Sequence, residues 1–431
     1  MVRFLYTLVL WLLLPFIFVR LALRARKQPE YRQHLGERFG FYPPPPPCRG
    51  RGGVGVIWLH AVSVGETRAT VSLVAQLRSA YPDHQILLTH TTPTGRATSE
   101  QLYGDGVLRV YLPYDYPFAV RRFLRHFRPR LGILMETEIW FNLIHEAHEA
   151  GVPMLLLNAR LSEKSAKGYA RVAQLTRRAL QQLNAIAAQT SDDAVRLTSL
   201  GAQHVTVMGN LKFDIAPPQA MLELGHSLRR QFGTERKVFL AASTREGEEA
   251  LLLDAFQSQG CLQGALLVIV PRHPQRFNEI ADMLGKRGLS YQRRSENRDV
   301  AAQVQVVLGD SMGEMFAYYE AVDIAFIGGS LLPFGGQNLI EACAVGTPVL
   351  IGPHTYNFAD ATRLAVETGA AVQVGDAAEL ILVAQRLLND AGALAAMRSQ
   401  GVHFVAAHQG ATDKAMAVIA KVPGWQGACQ A

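Results

Sequence analysis

The chain has 431 residues, about three times the ~150 residues of a typical domain, which excludes a single small module. With 49% hydrophobic and 18% charged residues, its composition excludes a disordered or low-complexity protein. The formal net charge of +7 belongs to residues 1–51, which hold nine basic and two acidic residues, so the rest of the chain is formally neutral. A nucleic-acid-binding protein is expected to carry its basic residues on the folded domains, so we expect no nucleic-acid partner.

Spacing of the polar residues gives no sign of a metal centre. The four cysteines are far apart and match neither metal-ligand nor redox spacing: Cys48, Cys261, Cys343 and Cys429. We interpret them as free thiols of a protein that faces a reducing compartment. An Asp-x-Asp signature is also absent from the sequence, and we predict no metal and no cofactor requirement.

The chain opens with an uncharged apolar segment from Phe4 to Val19, followed by a cluster of basic residues. A helix over it would be roughly 24 Å long, against a hydrocarbon core of ~30 Å. A cleaved signal peptide is the alternative, but no small-residue cleavage site follows the segment. We predict a membrane anchor over residues 1–27 with the body on the cytoplasmic side. The segment either crosses the bilayer or lies in one leaflet.

The remaining sequence predicts two α/β domains. A basic, proline-rich linker spans residues 28–52, in which Tyr42 to Cys48 forms a stiff, extended spacer. Short apolar runs then alternate with amphipathic segments over residues 53–209, and the pattern begins again over residues 210–431. Such βαβ periodicity predicts parallel sheets covered on both faces, in two facing Rossmann-like domains with a boundary near Gly209 to Pro218.

Ligands of such sheets bind outside the carboxyl ends of the strands, where acidic residues follow two of the predicted strands. Glu66 lies in the turn after the first strand, and its other interpretation is a first-turn glutamate favoured by the helix dipole. Glu136 and Glu138 follow an apolar strand and share an orientation if the strand continues through them. Further on, Ser162 can cap the helix from Glu163.

In the second half, glycines and basic residues follow the predicted strands. Arg272 ends a strand where a bidentate donor could bind phosphate, and residues 309–314 form a glycine-bearing turn into a helix. In the third cluster, residues 328–347, we expect a helix start at Gly336 to Asn338 to bind phosphate and Glu341 to accept from ribose hydroxyls. A glycine-rich packing loop is the alternative.

One basic segment, residues 118–130, interleaves Arg121, Arg122, Arg125 and Arg128 with three phenylalanines. It predicts a solvated amphipathic helix. The functional alternative is a surface that faces anionic lipid or the phosphates of an acceptor.

These motifs occur in order over nearly the whole chain. With them the sequence resembles the bacterial Kdo transferases. Enzymes of that family move 3-deoxy-D-manno-oct-2-ulosonic acid (Kdo) from CMP-Kdo to a lipid A precursor. The matching stretches are HAVSVGET, TPTG, LPYD, METEIW, NARLSEKSAKGY, GNLKFD, PRHPQRF, GDSMGEM, GGS, GGQN and GPHTYNF. The resemblance implies a GT-B type fold with an N-terminal membrane-anchor helix, a CMP-Kdo donor, a lipid IVA acceptor and a place at the inner membrane among its phospholipids.

The resemblance also implies roles for individual residues. Glu66 matches the general base, while Glu136 and Lys212 match groups that stabilise the transition state. The implied CMP contacts are Pro271, Arg272, Met312, Gly313, Glu314, Asn338, Leu339, Ile340 and Glu341. Three residues depart from the family pattern, because Gln337 and Arg245 stand where His is expected and Phe141 stands where Pro is expected.

Two other functions stay open at this point. The first is an enzyme of the same architecture that uses another nucleotide sugar, such as a UDP-sugar transferase or epimerase. The second is a catalytically silent, membrane-tethered protein that binds lipid or sugar. Neither the number of Kdo residues transferred nor the acyl pattern of the acceptor follows from the sequence.

Overall fold

A computed structural model describes residues 2–43 and 55–425, which form two compact units. The first contains the chain up to Asp214 and the segment from Gln409 onward, and the second contains Ile215–His408. Most of the predicted proline-rich spacer lies outside the described residues, as do Cys48 and Cys429. Cys343 is a buried, free thiol.

The first unit is built on a parallel sheet of seven strands in the order β3-β2-β1-β4-β5-β6-β7. Its strands are β1 (Val56–His60), β2 (Gln85–His90), β3 (Leu108–Tyr111), β4 (Pro129–Met135), β5 (Met154–Ala159), β6 (Ala185–Ala188) and β7 (Val205–Val207). Its helices up to Asp214 are α1 (Val2–Leu12), α2 (Leu14–Lys27), α3 (Val64–Ala69), α4 (Val71–Ala80), α5 (Pro93–Tyr103), α6 (Pro117–Phe127), α7 (Phe141–Glu149), α8 (Glu163–Ala170), α9 (Ala173–Gln181) and α10 (Ser191–Ser199). Short 3-10 helices cover Pro29–Arg32, Leu35–Phe39, Gly104–Gly106 and Leu211–Phe213.

The second unit contains another parallel sheet of seven strands, in the order β10-β11-β9-β8-β12-β13-β14. Its strands are β8 (Val238–Thr244), β9 (Leu266–Pro271), β10 (Tyr291–Arg293), β11 (Val306–Leu308), β12 (Ile324–Ile327), β13 (Val349–Ile351) and β14 (Ala371–Gln373). Its helices are α11 (Gln219–Phe232), α12 (Glu248–Ser258), α13 (Phe277–Lys286), α14 (Met315–Ala321), α15 (Ile340–Ala344), α16 (Ala359–Glu367), α17 (Ala377–Leu388) and α18 (Ala391–His408), with 3-10 helices at Cys261–Gly264, Pro274–Arg276 and Arg294–Glu296.

Both sheets have the predicted parallel α/β architecture. Their strands are continuous apolar runs in the sequence. In the first unit, Ile57 pairs with Ile86 and Leu59 pairs with Ile133, and all four side chains are buried. Parallel strands are covered by helices on both faces, so alternation with polar residues is not expected. Such pairing brings the carboxyl ends of the strands to one edge of each sheet.

The prediction that the second domain runs to residue 431 is wrong for its last segment. A final helix, α19 (Ala411–Ala420), packs in the first unit. Its Ala415 and Ile419 lie in one apolar cluster with Leu73 of α4, and the Asp214 carboxylate accepts a hydrogen bond of 2.7 Å from the Gly410 amide. Periodicity alone cannot show to which sheet a terminal helix returns.

The N-terminal segment forms two helices rather than one. Helices α1 and α2 are bent by 48° at their junction. Among the described residues no single helix has the length and apolar composition to cross a membrane, and two helix pairs qualify only when joined across bends of 48° and 103°. The predicted amphipathic helix of the basic segment is present as α6, which buries Phe123 and Phe127.

Candidate active site

Glu66 lies at the carboxyl edge of the first sheet, in the first turn of α3. Ser63 caps this helix, because its hydroxyl oxygen accepts from the Glu66 amide at 3.3 Å. In return the Ser63 hydroxyl donates to Oε1 of Glu66 at 2.9 Å, and the Val62 amide donates to Oε2 at 2.8 Å. Both carboxylate oxygens are thus held, and the residue is 8% exposed. Glu66 is thus a first-turn glutamate, and its hydrogen bonds with the capping residue Ser63 also give the carboxylate a fixed position.

Burial, and after it the negative charge of Glu136, raise the pKa of Glu66 to about 7. The hydrogen bonds from Val62 and Ser63 oppose this shift, since they favour the ionised form. A carboxyl group with a pKa near 7 accepts protons far better than an ordinary glutamate does, and it is ionised in a large fraction of molecules at neutral pH.

Glu136 is the first residue after β4, and its backbone turns sharply there. The condition for a shared orientation of Glu136 and Glu138 is not met, because β4 ends at Met135 and Glu136 adopts a left-handed φ of 58°. A non-glycine residue in this region is strained and is found most often at functional sites. Burial also raises the pKa of the half-buried Glu138 to about 7.

Lys212 places a positive charge beside Glu136. Its Nζ lies 3.5 Å from Oε1 of Glu136, and each of the two side chains is about one-fifth exposed. Lys212 is carried by the 3-10 helix Leu211–Phe213, which contacts α3, the helix of Glu66. Folding therefore brings the three predicted catalytic residues to one edge of the sheet.

A buried polar network positions the Lys212 turn, and sequence reasoning missed it. Asn158, at the carboxyl end of β5 with a φ of 54°, accepts from the Leu211 amide at 3.1 Å. Gln189 donates to the Asn158 carbonyl at 3.0 Å and accepts from Asn210 at 3.1 Å. The only available signal was the presence of amide side chains at the ends of apolar strands. As predicted, Ser162 caps α8.

In the second unit the predicted nucleotide contacts follow β9, β11 and β12 at the carboxyl edge of the sheet, in which β8 separates β9 from β12. Pro271 is the last residue of β9 and Arg272 follows it, with the Arg272 amide donating to the Thr244 carbonyl at 3.0 Å. Met312, Gly313 and Glu314 lie between β11 and α14. Met312 is exposed, Gly313 has a φ of 81°, and Oε2 of Glu314 accepts from the Ser311 hydroxyl at 2.7 Å.

The remaining predicted contacts, Asn338 to Glu341, lie at the start of α15. Asn338 donates to Oε1 of Glu341 at 3.1 Å and accepts from the Ile340 amide at 3.1 Å. The side chains of Leu339 and Ile340 are fully buried in the protein.

The predicted position of the helix start, at Gly336 to Asn338, is wrong. Helix α15 begins at Ile340, and the preceding loop folds back on the end of β12. The Gly336 amide donates to the Gly329 carbonyl at 2.6 Å, and the Gln337 amide donates to the Gly328 carbonyl at 3.0 Å. These two donors stabilise the loop itself.

Two of the three departures from the family pattern lie together around Gly329. A Cβ atom on Gly329 would lie 3.1 Å from Nε2 of Gln337 and 3.5 Å from Cγ of Arg245. The Arg245 guanidinium lies 4.5 Å from the centre of the Phe334 ring and pairs with Glu246 at 3.0 Å. The third departure, Phe141, starts α7 and contacts the ring of Tyr6 in α1, with ring centres 5.1 Å apart.

A second feature that the sequence analysis missed is the fully buried carboxylate of Glu248. It accepts from three backbone amides, those of Arg245 at 2.8 Å, Gly329 at 2.6 Å and Leu331 at 2.9 Å. It therefore ties the start of α12 to the glycine loop. Among the described residues, no group of three or more His, Cys, Asp or Glu side chains is arranged to hold a metal ion.

We predict that Glu248→Ala lowers the free energy of unfolding by about 3 kcal/mol, because it leaves buried amides without an acceptor. Urea denaturation followed by fluorescence measures the change. The matched control is Glu246→Ala, since the Glu246 side chain is 51% exposed. Equal denaturation midpoints for the two variants would contradict the anchoring role of Glu248.

Both halves of the chain match models of known transferase families. The model of the family described as 3-deoxy-D-manno-octulosonic-acid transferase (kdotransferase) matches residues 33–215, and that of glycosyl transferases group 1 matches residues 250–403. The fold is similar to that of a glycosyltransferase from Rickettsia africae, with a TM-score of 0.56 at 13% identity over 86% of this chain and 99% of that one. The two parallel-sheet domains thus have the architecture of a GT-B glycosyltransferase.

Two related sequences define the family. A 3-deoxy-D-manno-octulosonic acid transferase of Bordetella pertussis is 46% identical, over 84% of this chain and 86% of that protein. One of Haemophilus influenzae is 38% identical, over 96% of both chains. The chain belongs to the 3-deoxy-D-manno-octulosonic acid transferase family and is a glycosyltransferase.

Proposed function

We propose that the protein is an inverting glycosyltransferase that moves Kdo from CMP-Kdo to a lipid A precursor, lipid IVA, in the biosynthesis of the lipopolysaccharide core, with Glu66 as general base. The observation that carries this proposal is the cluster of Glu66, Glu136 and Lys212 at the edge of the first sheet, in a chain of this family.

The chemistry of the reaction calls for one base and no general acid. The CMP phosphate leaves without protonation, whereas the attacking sugar hydroxyl of the acceptor must lose its proton as it bonds to the anomeric carbon of Kdo. Glu66 takes this proton on its carboxylate, which the amide of Val62 and the hydroxyl of Ser63 hold in place. Direct displacement inverts the anomeric centre.

Lys212 and Glu136 act through their charges. As the bond between Kdo and CMP breaks, negative charge grows on the departing phosphate, and a fixed ammonium group stabilises it. Glu136 orients Lys212 through their contact and keeps the pKa of Glu66 high through its own charge. We assign the binding of CMP to Pro271, Arg272, Met312, Gly313, Glu314 and residues 338–341.

The place of action that we propose is the cytoplasmic face of the bacterial inner membrane, to which the N-terminal segment tethers the enzyme. The apolar run of α1 and the basic residues concentrated before residue 52 support this location. A lipid acceptor also requires the enzyme to work at a membrane surface.

The donor is tested by thermal-shift titration of the full chain with CMP, UMP and UDP. A ligand that binds only the folded state at 100 times its Kd stabilises that state by about 2.7 kcal/mol. We expect CMP to raise the melting temperature by several degrees and UMP and UDP to have little effect. A larger shift with UDP would favour the alternative, a UDP-sugar transferase or epimerase. No shift with any nucleotide would favour the silent binding protein.

The pH dependence of transfer follows from the pKa of Glu66. The base must be ionised, so kcat/KM is expected to rise with pH through an apparent pKa of about 7. In Glu136→Gln a neighbouring negative charge is lost, and the acid limb of the profile is expected to move to lower pH. The control Glu100→Gln, an exposed position on α5, should leave the limb unchanged. A limb that stays in place in Glu136→Gln would contradict the electrostatic coupling.

A further inference from the structure

Helices α1 and α2 expose a continuous apolar surface, which we call the apolar face. It comprises Phe4, Leu5, Leu8, Val9 and Leu12 on α1 and Phe16, Val19 and Leu23 on α2. Each of these side chains is more than 40% exposed, and Phe4 and Leu12 reach 73%. A patch of this size rarely faces water and indicates contact with an apolar partner.

The opposite side of α1 is attached to the first unit by polar contacts. Arg3 pairs with Glu146 of α7 at 3.2 Å, and the Tyr6 hydroxyl donates to the Asp115 carboxylate at 2.9 Å. The Oγ1 atom of Thr7 lies 3.2 Å from Oδ1 of Asn142. The side chains at positions 3, 6 and 7 are all less exposed than those of the apolar face. This arrangement makes α1 part of the domain.

A helix that crossed the bilayer would have to give up these contacts. Asp115 is 4% exposed and Asn142 is fully buried, so removal of α1 would deprive them of the Tyr6 and Thr7 hydroxyls. Helix α1 is also only about 17 Å long, against a hydrocarbon core of ~30 Å, and α2 continues it at an angle of 48°.

Cations lie next to the apolar face. Arg20, Arg24 and Arg26 are exposed on α2, and Arg122 and Arg125 are exposed on α6. An apolar face beside a row of arginines is the pattern of a helix that lies in the interface of a membrane with anionic lipids.

We infer that α1 and α2 lie in the plane of the membrane and insert the apolar face into one leaflet, beside anionic headgroups, without crossing the bilayer. This inference rests on the membrane location that we proposed above. It differs from a spanning anchor in one decisive respect, because both ends of α1 stay on the side of the catalytic domains.

A disulfide cross-link tests whether α1 is docked while the protein is in the membrane. Thr7→Cys combined with Asn142→Cys is expected to form a disulfide in isolated membranes treated with copper phenanthroline, in more than half of the molecules. The control pair is Leu8→Cys with Asn142→Cys, since Leu8 points away from the domain, and it should form none. Failure of the first pair to cross-link, or equal cross-linking of both pairs, would overturn the inference.

Topology is tested independently with Val2→Cys in the full chain. In intact spheroplasts a membrane-impermeant maleimide should leave this cysteine unlabelled, and detergent solubilisation should make it reactive. Labelling from outside in intact spheroplasts would show a spanning helix and overturn the inference. Kdo transfer by the same membranes is measured in parallel, so failure of the proposed function is recognised separately.

The lipid class is tested by co-sedimentation of the full chain with vesicles. Binding to phosphatidylcholine vesicles containing 30% phosphatidylglycerol is expected to exceed binding to pure phosphatidylcholine several-fold. Replacement of Arg20, Arg24 and Arg26 by glutamine should remove this preference. Equal binding of the unaltered protein to both vesicles would contradict the role of anionic headgroups.

Discussion

Replacement of Glu66 by glutamine is expected to lower the rate of Kdo transfer at least about 100-fold and to leave CMP binding unchanged. Glutamine has nearly the same shape but cannot take the proton of the attacking hydroxyl. Initial rates of Kdo-lipid formation measure the loss, and the thermal shift with CMP measures donor binding. A rate above about one-tenth of that of the unaltered enzyme would remove Glu66 as the base.

The melting temperature of Glu66→Gln shows whether lost activity comes from lost catalysis or from misfolding. Burial raises the pKa of Glu66 to about 7 from its ordinary value of 4.5, so the folded state holds this proton more tightly than the unfolded state does. The resulting stabilisation is present below pH 4.5 and is lost as the pH rises through 7. At pH 8 glutamine avoids the cost of a buried charge, and Glu66→Gln should melt no lower than the unaltered protein. A large drop would attribute the lost activity to misfolding.

Replacement of Lys212 by methionine is expected to lower the transfer rate by about 100- to 1000-fold. Methionine keeps much of the length of the side chain and removes its charge, so stabilisation of the departing phosphate is lost. Glu136 also loses its cation, and the acid limb of the pH profile should move to higher pH, opposite to the shift expected in Glu136→Gln. Steady-state kinetics from pH 5.5 to 9 measure both effects.

A matched lysine controls for the general loss of a positive charge. Lys414→Met removes an exposed lysine of α19 in the same unit and should keep the full rate. If Lys212→Met and Lys414→Met had similar rates, Lys212 would have no part in stabilising the transition state.

The sheets and the candidate catalytic residues were recognisable in the sequence for one shared reason. Buried parallel strands are continuous apolar runs, and polar residues at their carboxyl ends stand out against them. Glu66 and Glu136 were recognisable on this basis as candidates for the edge of the first sheet, and the family resemblance added Lys212. Long-range partners could not be predicted in this way, because Asn158 meets Leu211 and Gln189 only after the strands have paired.

Backbone conformation was the second feature that could not be predicted from the sequence. The sequence did not show whether β4 continues through Glu136 and Glu138, since a run of side chains does not reveal the left-handed φ of Glu136. Similarly, the glycines at 335 and 336 indicated a close turn, but their sequence did not show that the Gly336 amide donates to Gly329. In α1 most residues are apolar, and the sequence did not show that the polar ones, Arg3, Tyr6 and Thr7, attach the helix to the domain.

The decisive measurement is the mass of a tetraacyl disaccharide acceptor after incubation with the purified full chain and CMP-Kdo. We predict an increase by a whole number of Kdo units, with one CMP released for each unit, and no increase when Glu66→Gln replaces the unaltered protein. An unchanged acceptor mass, in a reaction where a known Kdo transferase modifies the same acceptor, would contradict the proposed function.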